Sequence, residues 1–92
     1  MYFIRETKRY RRSYKRLCKQ KYFDEILLDE VIDSLARGEK LEIKYKDHQL
    51  KGEFKNYREC HIKGDLLLVY QIRKNELVLV LIDLGSHSYL GL

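Results

Sequence analysis

Three histidines, the carboxylates near them and a run of Lys and Arg are the residues of this chain with chemistry to offer. His48 stands in Lys46-Asp47-His48. His61 lies two residues after Glu59 and four before Asp65. His87 sits in Gly85-Ser86-His87-Ser88. Histidine titrates near neutrality and is the most frequent general acid or base. Two imidazoles with a carboxylate to orient them can give and take a proton near pH 7. Other chemistries lack their parts. Cys18 and Cys60 form neither a disulfide framework nor a Cys-x2-Cys pair, and no His-x3-His spacing is present. No metal and no cofactor is therefore expected. No Gly-rich phosphate loop and no Ser nucleophile elbow is present. Cys60 and His61 are strand neighbours that point to opposite faces, so Cys60 is expected in the core. Each candidate also has an ordinary reading: a loop His at the surface, Asp65 after Gly64 as a turn residue, Glu59 as a solvent-facing strand position.

The elements that must position these residues belong to one domain, residues 1–92. Hydrophobic residues make up 45% of the chain, enough for a core, and the second half is too apolar for disorder. The longest apolar runs, such as Leu66-Leu67-Leu68-Val69-Tyr70, are too short to span a bilayer. The start, Met1-Tyr2-Phe3-Ile4-Arg5, is basic within five residues and lacks the apolar segment of a signal peptide. No membrane association is expected, and the two cysteines point to the reducing cytoplasm. The net charge of +5 is uneven. Residues 1–21 hold nine Lys/Arg against one acid, a net +8, and residues 22–92 hold ten against thirteen, a net −3. A basic first element on a near-neutral body suits a polyanion or an acidic protein, although a solvated helix face has the same composition.

Periodicity gives an α+β fold. Tyr2 to Ile4 reads as a short strand. Thr7 caps a helix over roughly 8–20, with Tyr10, Tyr14, Leu17 and Cys18 at helical spacing. Asp24 caps a second helix with Ile26, Leu27, Val31 and Leu35 as its stripe, ended by Gly38. A polar stretch over 39–51 follows, then strands about 52–56, 57–63, 66–73 and 76–83, with tight turns at Lys63-Gly64-Asp65 and Lys74-Asn75. Two helices before an antiparallel meander imply helices packed on one face of a sheet. Hairpin geometry then places His61, Asp65 and His87 at the same end of the sheet. His48 joins them only if its loop folds over.

Three blocks, Lys46-Asp47-His48-Gln49-Leu50-Lys51-Gly52, Tyr57 through Tyr70 and Leu84-Gly85-Ser86-His87-Ser88-Tyr89-Leu90, together resemble YafQ-type toxins. These form a branch of the RelE/ParE superfamily of bacterial type II toxin–antitoxin systems. The resemblance covers most of the chain. It implies two N-terminal helices on a curved antiparallel four-stranded sheet, plus a short N-terminal strand. It further implies a metal-independent endoribonuclease that cuts mRNA on the ribosome and so inhibits translation. The 2′-OH attacks the adjacent phosphorus, leaving a 2′,3′-cyclic phosphate and a 5′-OH. Its implied partners are a cognate antitoxin, mRNA and the ribosome, with operator DNA only through the antitoxin complex.

By motif match the family's site residues fall on His48, His61, Asp65 and His87, with Glu59 at the position of a site acid. His87 would act at the scissile phosphate, His61 as its partner, Asp65 orienting, and His48 binding phosphate or sharing the proton work. Arg9, Arg12 and Arg16 of the first helix, with Lys55, Arg58 and Lys63, would hold RNA backbone or ribosomal RNA. Tyr57 or Tyr89 would stack on an unpaired base or pack on the sheet edge. The chain departs from the family's pattern at three positions. Asp83 stands where the pattern has Arg, Gly91 where it has an aromatic, and Gly64 where it has Pro. Asp83 places an anion where charge builds up, which implies weaker catalysis or another cation, such as Arg73, at the site. The alternative is a non-catalytic binder on the same fold, either gyrase-directed or acting through the antitoxin and operator complex.

Overall fold

The computed structural model describes residues 1–92. Five strands form one mixed sheet in the order β1-β5-β4-β3-β2: β1 Phe3–Glu6, β2 His48–Gln49, β3 Arg58–Lys63, β4 Leu66–Arg73 and β5 Val78–Gly85. Three helices accompany it: α1 Lys8–Cys18, α2 Glu25–Ala36 and the single turn α3 His87–Leu90. The four strands β2 to β5 are antiparallel, and β1 adds to the β5 edge in parallel.

The helix boundaries follow local chemistry. The Thr7 hydroxyl accepts the Tyr10 N–H and donates to the Ile82 carbonyl, so one side chain starts α1 and docks it on β5. Asp24 caps α2 by accepting the Leu27 N–H at 3.0 Å, and Gly38, at φ +76°, follows its end. Tyr10, Leu17, Leu28, Val31, Ile32 and Leu35 pack against Cys60, Ile62, Leu68, Tyr70, Leu79, Leu81 and Leu84. One sheet face is therefore the helix face. Burial pushes the Cys60 thiol up to about 12, as suits a core cysteine.

Three expectations are corrected. Residues 52–56 are not a strand: Gly52, at φ +66°, starts a one-turn 3-10 helix over Gly52–Phe54. The second strand is instead His48–Gln49, inside the stretch expected to be loop. The last strand runs Val78–Gly85 rather than 76–83, because Lys74–Glu76 turn and Leu77 takes φ +55°. The expected tight turn at Lys74-Asn75 is thus a longer one. An irregularity between Val69 and Tyr70 also matters. Val69 opposes Asp83 while Tyr70 opposes Leu81, so β5 carries one extra residue, Ile82. That residue is why Leu84 returns to the core side with Leu79 and Leu81.

Candidate active site

Alternation along β3 sends Cys60 and Ile62 into the core and Glu59 and His61 to the opposite face. There Glu59 becomes a hub. Its side chain is only 3% exposed, and one oxygen, Oε1, lies 3.5 Å from His61 Nε2, 3.7 Å from His48 Nε2 and 4.0 Å from His87 Nε2. The His61 ring is central, with centroids 5.4 Å from His87 and 6.4 Å from His48. Each ring arrives differently. His61 sits on β3 itself. His48 arrives because β2 pairs with β3, which makes His48 the register partner of Glu59. His87 begins α3, directly after β5.

The tautomers follow from the partners. Asp65 Oδ1 accepts both the His87 backbone N–H, at 3.2 Å, and the His87 ring at Nδ1, at 3.0 Å. These bonds, the backbone one foremost, hold the Asp65 carboxyl below the usual carboxylate range. An ionised carboxylate only accepts, so Nδ1 of His87 carries a proton and Nε2 is the nitrogen free to exchange one. His48 repeats the logic. Its Nδ1 lies 2.7 Å from the Lys46 carbonyl, which can only accept, so its Nε2 also faces Glu59. Lys46 sits at φ 48°, in the left-handed region, at this turn. The five residues expected to form the site, His48, His61, Asp65, His87 and Glu59, are thus in one place. Glu59 is buried rather than solvent-facing. No sequence signal marked the pairing of His48 with Glu59, because a two-residue strand has no readable period.

The cluster has a second chemical capacity. Glu59, His61 and His87 offer three ligand atoms within 4.8 Å of one another, a donor set that suits a transition-metal ion. The linear sequence hides this set because His87, on α3, is distant in the chain from Glu59 and His61 on β3.

The expected RNA-binding residues divide. Arg12 and Arg16 are exposed on α1, and Lys55 is exposed after the 3-10 turn. Arg9 is also exposed, with its Nε 3.9 Å from Asp83. Lys63 lies 3.6 Å from Asp24. Arg58 is on the strand face of Cys60, away from the imidazoles. Asp47 holds it at 3.0 Å, and Tyr70 donates to the same Asp47. Its guanidinium is therefore neutralised and faces the wrong way for the cluster. Tyr57 is half-buried and lines a groove with Phe54, Val69, Leu90 and Leu92. Tyr89 is 47% exposed, with Arg16 over its ring at 4.3 Å and its hydroxyl 2.9 Å from Ser13. Arg73 pairs with Glu76 at the end of β4, four residues or ~13 Å along the strand from Val69, the register partner of Glu59, and its charge is shared with that Glu76.

Comparison with known proteins places the whole chain in a known family and fold. The family described as "Bacterial toxin of type II toxin-antitoxin system, YafQ" matches residues 2–91. A metal-bound toxin from Helicobacter pylori superposes with TM-score 0.90 at 51% identity, covering 98% of this chain and 99% of that one. The Escherichia coli DinJ-YafQ complex superposes with TM-score 0.86 at 25% identity, covering 98% of each chain. The mRNA interferase toxin YafQ of Escherichia coli K12 is 29% identical over 70 residues, 76% of this chain and 68% of that protein.

Proposed function

The chain belongs to the YafQ family of type II toxin–antitoxin toxins, and from that premise we propose that it is an endoribonuclease that cuts mRNA by 2′-OH attack. One observation carries the reading. Asp65 fixes the proton of His87 on Nδ1, so Nε2 is turned toward a buried carboxylate shared with two further imidazoles. The reaction needs a base for the 2′-OH, an acid for the departing 5′-oxygen and relief of charge on the phosphorane. As the 2′-oxygen bonds to phosphorus, its proton passes to one imidazole. The P–O5′ bond breaks, and a second imidazole, protonated, delivers a proton to the 5′-oxygen. His87 takes one of these roles, and His61 or His48 the other. Glu59 stabilises whichever ring is cationic. Each proton transfer contributes on the order of 10²–10⁴-fold. The products are a 2′,3′-cyclic phosphate and a 5′-OH.

The exposed cations of α1 supply a sequence-independent hold on RNA backbone, in mRNA or in the ribosome. A protein antitoxin is the natural regulator, as YafQ of Escherichia coli is solved in complex with DinJ. Operator DNA would be engaged through that complex. The decisive experiment is induced expression in a bacterial host, wild type beside His87→Ala, with growth followed and mRNA 5′ ends mapped. New 5′-OH ends in coding regions, lost in the variant, are expected. Arrest that is equal in both strains overturns the assignment and favours a binder on the same fold. Cleavage is also expected to survive exhaustive EDTA treatment. Copper or zinc held across Glu59, His61 and His87 is expected to inhibit by occupying the nitrogens that move protons.

A further inference from the structure

Asp83 is buried and takes no part in the imidazole cluster. Its Oδ1 accepts two hydrogen bonds, one from the Leu84 amide at 2.8 Å and one from the Ser13 hydroxyl at 2.7 Å. Ser13, on α1, is itself fully buried. The Tyr89 hydroxyl lies 2.9 Å from the same Ser13 oxygen. A hydroxyl has one proton to give. Ser13 gives its proton to Asp83, so Tyr89 must be the donor to Ser13. The result is a directed chain from α3 through α1 to β5, with each bond polarising the next.

The Tyr89 ring is keyed in by two further contacts. It occupies the space where Gly85 lacks a side chain: a Cβ there would stand 2.6 Å from Tyr89 Cδ2 and 3.2 Å from Cγ. The Arg16 guanidinium covers the ring at 4.3 Å. These contacts matter because α3 is only four residues long, and a single turn of helix has no stability of its own. Its start is tied by Ser86, which accepts the Tyr89 N–H at 3.1 Å, and by Asp65. The hydroxyl of Tyr89 makes the hydrogen bond that reaches from α3 to α1, beside the Arg16 contact.

We propose that the Tyr89–Ser13–Asp83 chain, with Gly85 as its socket, is a latch that seats α3 and so holds His87 against Asp65 and Glu59. Tyr89, Ser13 and Asp83 are positioning residues for the ribonuclease reaction, and in that role the inference rests on the function proposed above. Asp83 is the acceptor on which the latch ends.

Tyr89→Phe keeps the ring in its socket and removes only the donor. A single hydrogen bond shifts a seating equilibrium by about three- to tenfold. The expected result is a fall in kcat of up to that size, the full factor being approached where the seating equilibrium is near balance, with KM changed by less than about twofold. Without RNA, the backbone ¹⁵N heteronuclear NOE over residues 86–90 should fall while that over 78–84 holds. Asp83→Asn still offers Ser13 an acceptor and should retain most activity, whereas Asp83→Ala should lose as much as Tyr89→Phe. Ser13→Ala, which breaks both bonds, provides a second route to the same loss. Wild-type kcat and an unchanged NOE in Tyr89→Phe and Ser13→Ala overturn the latch. So does a loss confined to KM. If the wild type cuts no RNA, the ribonuclease reading fails on its own, and the NOE alone decides whether the latch exists.

Discussion

Replacing Asp65 separates the charge of the His87 anchor from its shape. Asp65→Asn keeps an oxygen that can accept both the His87 backbone N–H and the ring N–H, now 3.2 Å and 3.0 Å from Oδ1. Only the negative charge is lost. Charge-assisted hydrogen bonds are roughly twice as strong as neutral ones. Asp65 is largely exposed, so solvent screens part of that difference. About a tenfold loss of kcat is expected for Asn, from the on-the-order-of 10²–10⁴-fold that one positioned imidazole supplies. Asp65→Ala removes the acceptor of both bonds and frees the ring to take either tautomer. Its loss should reach about 100-fold, the lower end of that range. The assay is single-turnover cleavage of a short RNA carrying one 2′-OH in an otherwise deoxy chain, followed at pH 7 by the appearance of the 5′-OH fragment. The order wild type > Asn > Ala is the signature. If Asn and Ala both run at the wild-type rate, Asp65 does not orient His87 and the tautomer argument is wrong.

Three further outcomes follow from the same geometry. Gly85→Ala should stabilise a strand position by ~0.5–1 kcal/mol on backbone grounds, yet the Cβ would stand 2.6 Å from Tyr89 Cδ2. Amide exchange should therefore show residues 86–91 losing protection while 78–84 keep it, and a uniformly stabilised protein would refute the packing. Reversing Arg12 to Glu on the exposed face of α1 should weaken RNA binding without changing the cleaved bond. It should also lower the slope of log affinity against log salt by about one unit per lost phosphate contact. The pH dependence has a definite sign: Asp65 has a depressed carboxyl pKa in the folded state, through His87. The anchor is fully present above the ordinary carboxylate range and is lost as pH falls through the lowered value. The ¹³C carboxyl titration of Asp65 should thus lie below that of an unstructured Asp, and His87→Ala, which removes the ring bond but keeps the backbone N–H, should move it only part of the way back.

Much of the molecule is legible in local sequence. Thr7 and Asp24 announce the two helix starts and Gly38 the end of the second, because capping involves residues within a turn of one another. The Lys63-Gly64-Asp65 turn and the Leu66–Arg73 run give β3 and β4. Hairpin geometry alone then brings His61, Asp65 and His87 to one end of the sheet. The basic face of α1 and the core place of Cys60 also follow from spacing.

What the tertiary structure decided lies where partners are distant in the chain. His48 entered the site through two residues of pairing with β3, a contact too short to leave a period. Glu59 looked like a solvent position and became the buried hub, because three rings from three elements cover it. Arg58, one residue away, faces the core side and is neutralised by Asp47, so the face it takes decides against its service at the imidazoles. Asp83 read as a misplaced anion. The extra residue in β5 and the close approach of α1 made it an internal acceptor for Ser13, with Tyr89 behind. A local pattern specifies which face a residue takes on an ideal element. Bulges, edge pairing and the docking of a one-turn helix decide which neighbours it meets there, and they depend on the whole sheet.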